Sequence, residues 1–267
     1  MRLTILALAL AVVGCTSVQR SQTEQIVAAS LISDKQEMDL GFQVHEELKS
    51  KNTKFLDNPE IGIYVEGLVN KIIPQAKADR PGVNWQYFVI DDAKTVNAFV
   101  TPGGRIYVYT GLLLAAENEA EVIGVLGHEL GHVVARHSAR QIVAAKGLET
   151  VAQMALGKDA SDVAEVAAGL LGKGAIMAYG RDMELEADTY GAKYSNTAGY
   201  DARGLATFFE KLKAKGEVPE LLTFMSTHPS NNERISKLTA LIAEKGYTAK
   251  ELGGPGLKAI QAKIPNK

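Results

Sequence analysis

A mainly helical α+β domain, with a small antiparallel sheet placed just before one long buried helix, is the fold this sequence predicts. Three observations predict it. Apolar residues recur at helical spacing from Glu117 almost to Glu244, with breaks at Gly147, Gly157, Gly180, Gly199 and His228-Pro229. Between Asn84 and Tyr109 the texture changes to the β-branched and aromatic runs W-Q-Y-F-V-I, V-N-A-F-V and R-I-Y-V-Y, separated by D-D-A-K and T-P-G-G. The 267 residues are 46% hydrophobic, ample for a sizeable core.

Taken from the beginning, Arg2 and the apolar run L-T-I-L-A-L-A-L-A-V-V mark residues 1–14 as an export signal, its apolar part too short for a comfortable membrane span. Val12 to Cys15 read V-V-G-C, which resembles the lipobox of bacterial lipoproteins, and Cys15 is the only cysteine. That resemblance implies acylation at Cys15 and a lipid anchor in a membrane. Thr16 in the following position then implies an outer-membrane lipoprotein facing the periplasm. Residues 15–30 begin polar and aperiodic, as a tether would, with order expected from Leu31. Ser33 caps a first helix striped by Met38, Phe42 and Val44, and Asn58-Pro59 opens a second. Pro102-Gly103-Gly104 supplies the turn between strands. The domain is expected over 31–250, and 251–267, with its glycines and prolines, as a loose tail. A net charge of −2 offers no basic patch for a phosphate backbone, so no nucleic-acid partner is expected.

The long helix carries the chemistry. His128, Glu129 and His132 stand as H-E-L-G-H inside the run that begins at Glu117, where Val122, Val125, Leu126, Val133 and Val134 keep helical spacing. Residues four apart on a helix differ by only about 40°, so both imidazoles project from one face and can bind a single ion. Zinc fits such a donor pair, and Glu129 is the neighbour placed to take a proton from water that the metal acidifies. Gly124, Gly127 and Gly131 each cost about 1 kcal/mol against alanine in a helix, which points to close packing or close substrate approach.

Catalytic zinc commonly has three protein ligands. A third histidine at position 138 would signal a metzincin, but Ser138 stands there and Ala135 replaces that pattern's glycine. Five residues beyond His132, His137 points about 140° away on the helix, so it reads as non-ligating. A carboxylate remains, from the acidic run R-D-M-E-L-E-A-D at 181–188. Glu184 and Asp188 share a helix face, whereas Glu186 lies about 200° from Glu184 and looks elsewhere. Glu184 as ligand with Asp188 supporting a histidine is one reading, and a solvated acidic face is the other.

H-E-L-G-H followed some fifty residues later by R-D-M-E-L-E-A-D resembles the HtpX / CAAX prenyl protease type 1 family of gluzincin zinc metallopeptidases, in its periplasmic lipoprotein branch. The run N-A-F-V-T-P-G-G-R-I-Y-V-Y-T-G-L from Asn97 resembles that family's active-site edge strand, and T-H-P-S-N-N-E-R-I its late His-Pro motif. The resemblance implies a zincin-like domain with one Zn2+ per chain. His128, His132 and Glu184 would be ligands, Glu129 general base, and Asp188, His228 and Arg234 further active-site groups. Asn97, Ala98 and Phe99 would bind substrate main chain. His228 either stabilises the oxyanion or closes over zinc as a gate; its structural alternative is a helix-terminal histidine before Pro229. Unfolded or misassembled envelope proteins are the implied substrates. From another functional class, a chaperone-like outer-membrane assembly factor with a gated, mostly inactive zinc site competes with this reading. A purely structural zinc, with four protein ligands, would leave Glu129 without purpose.

Overall fold

The computed structural model describes residues 17–146, 179–216, 219–229 and 232–265. Cys15 and the expected signal lie outside the described residues. Three helices lead: α1 (Ser17–Leu31), α2 (Asp34–Ser50) and α3 (Pro59–Asp79). The strands β1 (Gln86–Ile90), β2 (Ala98–Thr101) and β3 (Arg105–Tyr109) follow, then α4 (Thr110–Ala115), α5 (Glu119–Val134) and α6 (His137–Lys146). After residue 178 come α7 (Arg181–Thr197), α8 (Gly204–Lys215), α9 (Pro219–Thr227), α10 (Asn232–Glu244) and α11 (Gly256–Gln261). The mainly helical α+β class, with its small sheet ahead of the H-E-L-G-H helix, is as expected.

Caps set the early helices. Ser33 and Gln36 form a reciprocal capping box on α2, and the Asn58 side chain accepts from Glu60 N and Ile61 N ahead of Pro59. The sheet is mixed rather than wholly antiparallel. Its order is β1-β3-β2: β2 pairs antiparallel with β3 across the Pro102–Gly104 turn, while β1 runs parallel to β3. Alternation tells which face of a strand is buried but not which neighbour it pairs with, so the insertion of β3 between its two predecessors was not readable from the runs. Residues 54–56 cover the far edge of β1, where Leu56 N donates to Val89 O and Asp91 N to Lys54 O, both at 2.8 Å. The other edge belongs to β2, beside α5.

Helix α5 is buried from end to end, which suits a pattern apolar nearly all round. The Asn118 side chain accepts from Glu121 N at its start, and Arg80 Nη1 donates to Val133 O, 2.6 Å away, at its finish. It packs on α3, α7, α8 and β2 within the larger core. Its glycines serve close packing: a Cβ on Gly127 would stand 3.2 Å from Gly191 Cα, and one on Gly131 would stand 3.0 Å from Ala187 O. The α5–α7 crossing is thus nearly backbone against backbone.

Two expectations are corrected at the ends. Residues 17–30, expected within a tether, are helical together with Leu31, and Ala28 and Leu31 are buried in a second core with Leu40, Val44, Phe99, Tyr107 and Ile142. The apolar second half of α1 finds this partner only because the far face of the sheet and α6 meet there. Residues 251–267, expected as a loose tail, supply α11 with Leu257, Ile260 and Ile264 buried, and Leu252 O accepts from Glu119 N at the start of α5. A stripe of three apolar residues is too short to outweigh its flanking glycines and prolines when read along the chain.

Candidate metal centre

Among the described residues, four side chains with metal-ligating atoms converge: His128, His132, Glu184 and His228, all buried and with one donor atom each inside 4.8 Å of the others. His128 Nε2 lies 3.0 Å from His132 Nε2 and 3.2 Å from His228 Nδ1. The Glu184 oxygens stand 3.6 Å from His128 Nε2, 3.5 Å from His132 Nε2 and 3.2 Å from His228 Nδ1. Tetrahedral ligands on zinc bonds of about 2.0–2.1 Å sit about 3.4 Å from one another, so these separations match the edges of that polyhedron. Imidazole nitrogens and a carboxylate are also zinc's donor chemistry. The residues fit the ion.

Each element delivers its group for a local reason. His128 and His132 are one turn apart on α5, and Glu184 faces them from the first turn of α7 across the glycine crossing. His228 follows the end of α9, its amide donating to Phe224 O. Asp188, one turn beyond Glu184, puts Oδ1 2.9 Å from His128 Nδ1, which directs that ring's other nitrogen toward the centre. Arg234, on α10, grips Asp188 with Nε at 2.9 Å and Nη2 at 2.6 Å, and reaches Glu184 with Nη1 at 2.6 Å. Tyr179 stacks on His132 with ring centroids 3.9 Å apart.

Burial governs the titration here. It lifts Glu129 above the ordinary carboxylate range against the pull of His228 and His128, and holds His132 well below imidazole's usual value. Burial also acts to raise Glu184 and Asp188, but His228, His128 and Arg234 outweigh it for the first, and hydrogen bonds from His128 and Arg234 for the second, so both stay low. His228 runs the other way: the Glu129 and Glu184 carboxylates overcome its desolvation and raise it.

The sequence-predicted residues divide accordingly. His128, Glu129, His132, Glu184, Asp188, His228 and Arg234 come together. Asn97, Ala98 and Phe99 lie on the sheet edge beside α5, but they are buried, and the Phe99 ring stacks on Tyr107 in the second core rather than toward the histidines. His137 stays out of the donor cluster, as expected, though not for the expected reason: α5 stops at Val134, Arg136 takes a left-handed φ of 57°, and the His137 ring returns to His132. Tyr179 was missed, since an isolated aromatic beyond a glycine-rich stretch gives no signal. No described helix is long and apolar enough to cross a membrane.

A helical domain whose central helix presents H-E-L-G-H to a glutamate on the next described long helix has the architecture of a zincin-type metallopeptidase domain. The match to the model of peptidase family M48 spans residues 63–242, and the chain belongs to that family. It is similar to metalloprotease LoiP of Escherichia coli, 29% identical over 252 residues, 91% of this chain and 97% of the relative. Mitochondrial metalloendopeptidase OMA1 of Schizosaccharomyces pombe is 34% identical over 184 residues, 68% of this chain and 53% of that protein. The beta-barrel assembly-enhancing protease of Yersinia pestis is 28% identical over 222 residues, 78% of this chain and 44% of the relative. The chain thus spans about half the length of several curated relatives it matches.

Proposed function

We propose that this chain is a zinc endopeptidase in which His128, His132 and Glu184 hold one ion and Glu129 moves the protons. The observation that carries the reading is the donor set of tetrahedral spacing with a buried carboxylate directly beside it. Zinc in such a site supplies Lewis acidity, acidifying water and polarising a carbonyl. Glu129, its affinity for protons raised by burial, takes one from the attacking water and returns it to the departing amine. Asp188 holds His128, and Arg234 holds Asp188 and Glu184. Extended main chain pairs with the outer edge of β2 at Ala98 and Phe99 and at the preceding Asn97, which positions the scissile carbonyl with little demand on side chains.

His228 serves as a gate. Its Nδ1 stands among the donors and its Nε2 lies 3.2 Å from Glu129 Oε1, so the corner that water needs is filled. The burial of the catalytic groups and of residues 97–99 supports the same view, since peptide reaches Glu129 only after His228 and β2 part. Misfolded or misassembled envelope proteins are the proposed substrates, supported by the names of the relatives LoiP and beta-barrel assembly-enhancing protease. Anchoring through acylated Cys15 to the outer membrane, and placement in the HtpX / CAAX prenyl protease type 1 group, belong to the same proposal.

Cleavage of an unfolded protein such as casein, measured beside bound zinc, tests the reading. Glu129→Gln should keep the metal and lose about 10²–10⁴-fold in rate, the usual share of a positioned general base. Undiminished cleavage by that variant would refute the assignment, and full replacement of wild type in envelope assembly would favour the escort role.

A further inference from the structure

His132 needs a partner behind it. When Nε2 faces the donor cluster, Nδ1 carries the proton and requires an acceptor, because a buried N–H left unpaired loses its hydration with nothing to replace it. No carboxylate touches that nitrogen among the described residues. Its neighbour is His137 Nδ1, at 2.7 Å, and His137 Nε2 in turn lies 3.2 Å from Glu186 Oε2. One set of protons satisfies the series: His132 donates from Nδ1 to His137 Nδ1, and His137 donates from Nε2 to Glu186. Any other tautomer of His137 sets two N–H groups against each other and leaves Glu186 without that donor.

Glu186 is itself held. Arg140 Nη1 donates to its Oε2 and Gln25 Nε2 to its Oε1, both at 2.8 Å, and Arg140 Nη2 donates to Glu24 at 2.8 Å. Glu24 and Gln25 belong to α1 and Arg140 to α6, so the series ends where those helices meet α7. It exists because the chain breaks at Arg136. That residue's left-handed backbone is secured by its guanidinium, which bonds Asp34 and Ile32 O, and it turns His137 back on the helix that carries His132.

We propose that His137 and Glu186 are positioning residues that fix the tautomer and orientation of His132 for metal binding. The proposal rests on the reading of His132 as a zinc ligand. Neither residue touches metal or substrate; both act through His132, as outer partners of ligating histidines generally do. The relay differs from the direct carboxylate behind His128 in being built of neutral rings up to its last member.

The test is zinc affinity by chelator competition in the Glu129→Gln protein, with the absorption spectrum of the cobalt(II) form as a second readout and the melting of the metal-free form as the control. His137→Phe keeps an aromatic ring, though a larger one, and removes the acceptor; it should weaken zinc about 10–100-fold, the usual effect of losing such a partner, and alter the cobalt bands. His137→Gln, whose amide oxygen can accept from His132, should recover part of the affinity. Glu186→Gln should weaken zinc less than His137→Phe, and its metal-free melting should also fall, because the ion pair with buried Arg140 is lost. Should His137→Phe fail to fold, Glu186→Gln decides alone. Affinities within twofold of the Glu129→Gln parent for each folded variant would overturn the proposal. A parent that binds no zinc would instead overturn the ligand assignment beneath it.

Discussion

His128 and His132 stand one turn apart on α5, yet they are braced by unlike means. Behind His128 is a charge: Asp188, gripped by the buried Arg234, on the helix that also carries Glu184. Behind His132 is a second imidazole, placed by a break in the chain and steadied from α1 and α6. The first brace comes with α7 itself, because Glu184 and Asp188 sit four residues apart and any α5–α7 contact that delivers one delivers the other. The second depends on three helices meeting. One helix thus has its two histidines braced by different chemistry, although both braces reach α7, through Asp188 and through Glu186.

The largest effect should come from the charged side. Asp188→Ala leaves the Arg234 guanidinium buried without its bidentate partner and should cost about 3–5 kcal/mol in denaturant unfolding. A loss under about 1 kcal/mol would show that Glu184 and Pro229 O suffice to hold Arg234. Metal removal acts on both sides at once: stripping zinc held at about a hundred times its dissociation constant should lower stability by about 2.7 kcal/mol, read as a drop in melting temperature. An unchanged melting curve would mean the folded form binds no ion in preference to the unfolded one.

Gly131→Ala should sharpen the comparison further. Its Cβ would stand 2.8 Å from Tyr190 Cβ, pushing α7 from α5 at a cost of about 1–3 kcal/mol. Because α7 bears Glu184, Asp188 and Glu186, zinc affinity should fall with stability; intact affinity would show that the crossing does not set the ligand spacing. The smallest effect is expected at Gln25→Ala, which removes one half-buried hydrogen bond to Glu186 and should cost about 0.5–1.5 kcal/mol. It should loosen the His132 side alone, visible as faster amide exchange in α6 with α10 unaffected.

Much of the fold and of the charged brace was legible because it is local. The Ser33–Gln36 box, Asn58-Pro59, the turn at Gly103-Gly104 and the helix phase joining His128 to His132 all depend on residues a few positions apart. Glu184 with Asp188 was legible for the same reason, as one face of one helix. His137 was not, since reading α5 through to it assumed a continuous helix, and a left-handed arginine is no break that composition announces. The side-chain direction of Phe99 was equally hidden, because edge position and burial face are separate properties of a strand.

On its own the sequence determined the H-E-L-G-H helix, the short strands before it and the second carboxylate helix, each through spacing that a turn of helix or a pleat of strand converts directly into a shared face. The tertiary structure alone decided the middle place of β3, the packing of α1 and of the tail through α11, the position of His228 among the donors and the return of His137. Most of those outcomes draw on contacts between residues far apart along the chain, such as Gln25 with Glu186, Arg136 with Asp34 and His228 with His128, which are 161, 102 and 100 positions apart. Their free energies arise only when distant segments are pressed together, so no local window of the chain contains them.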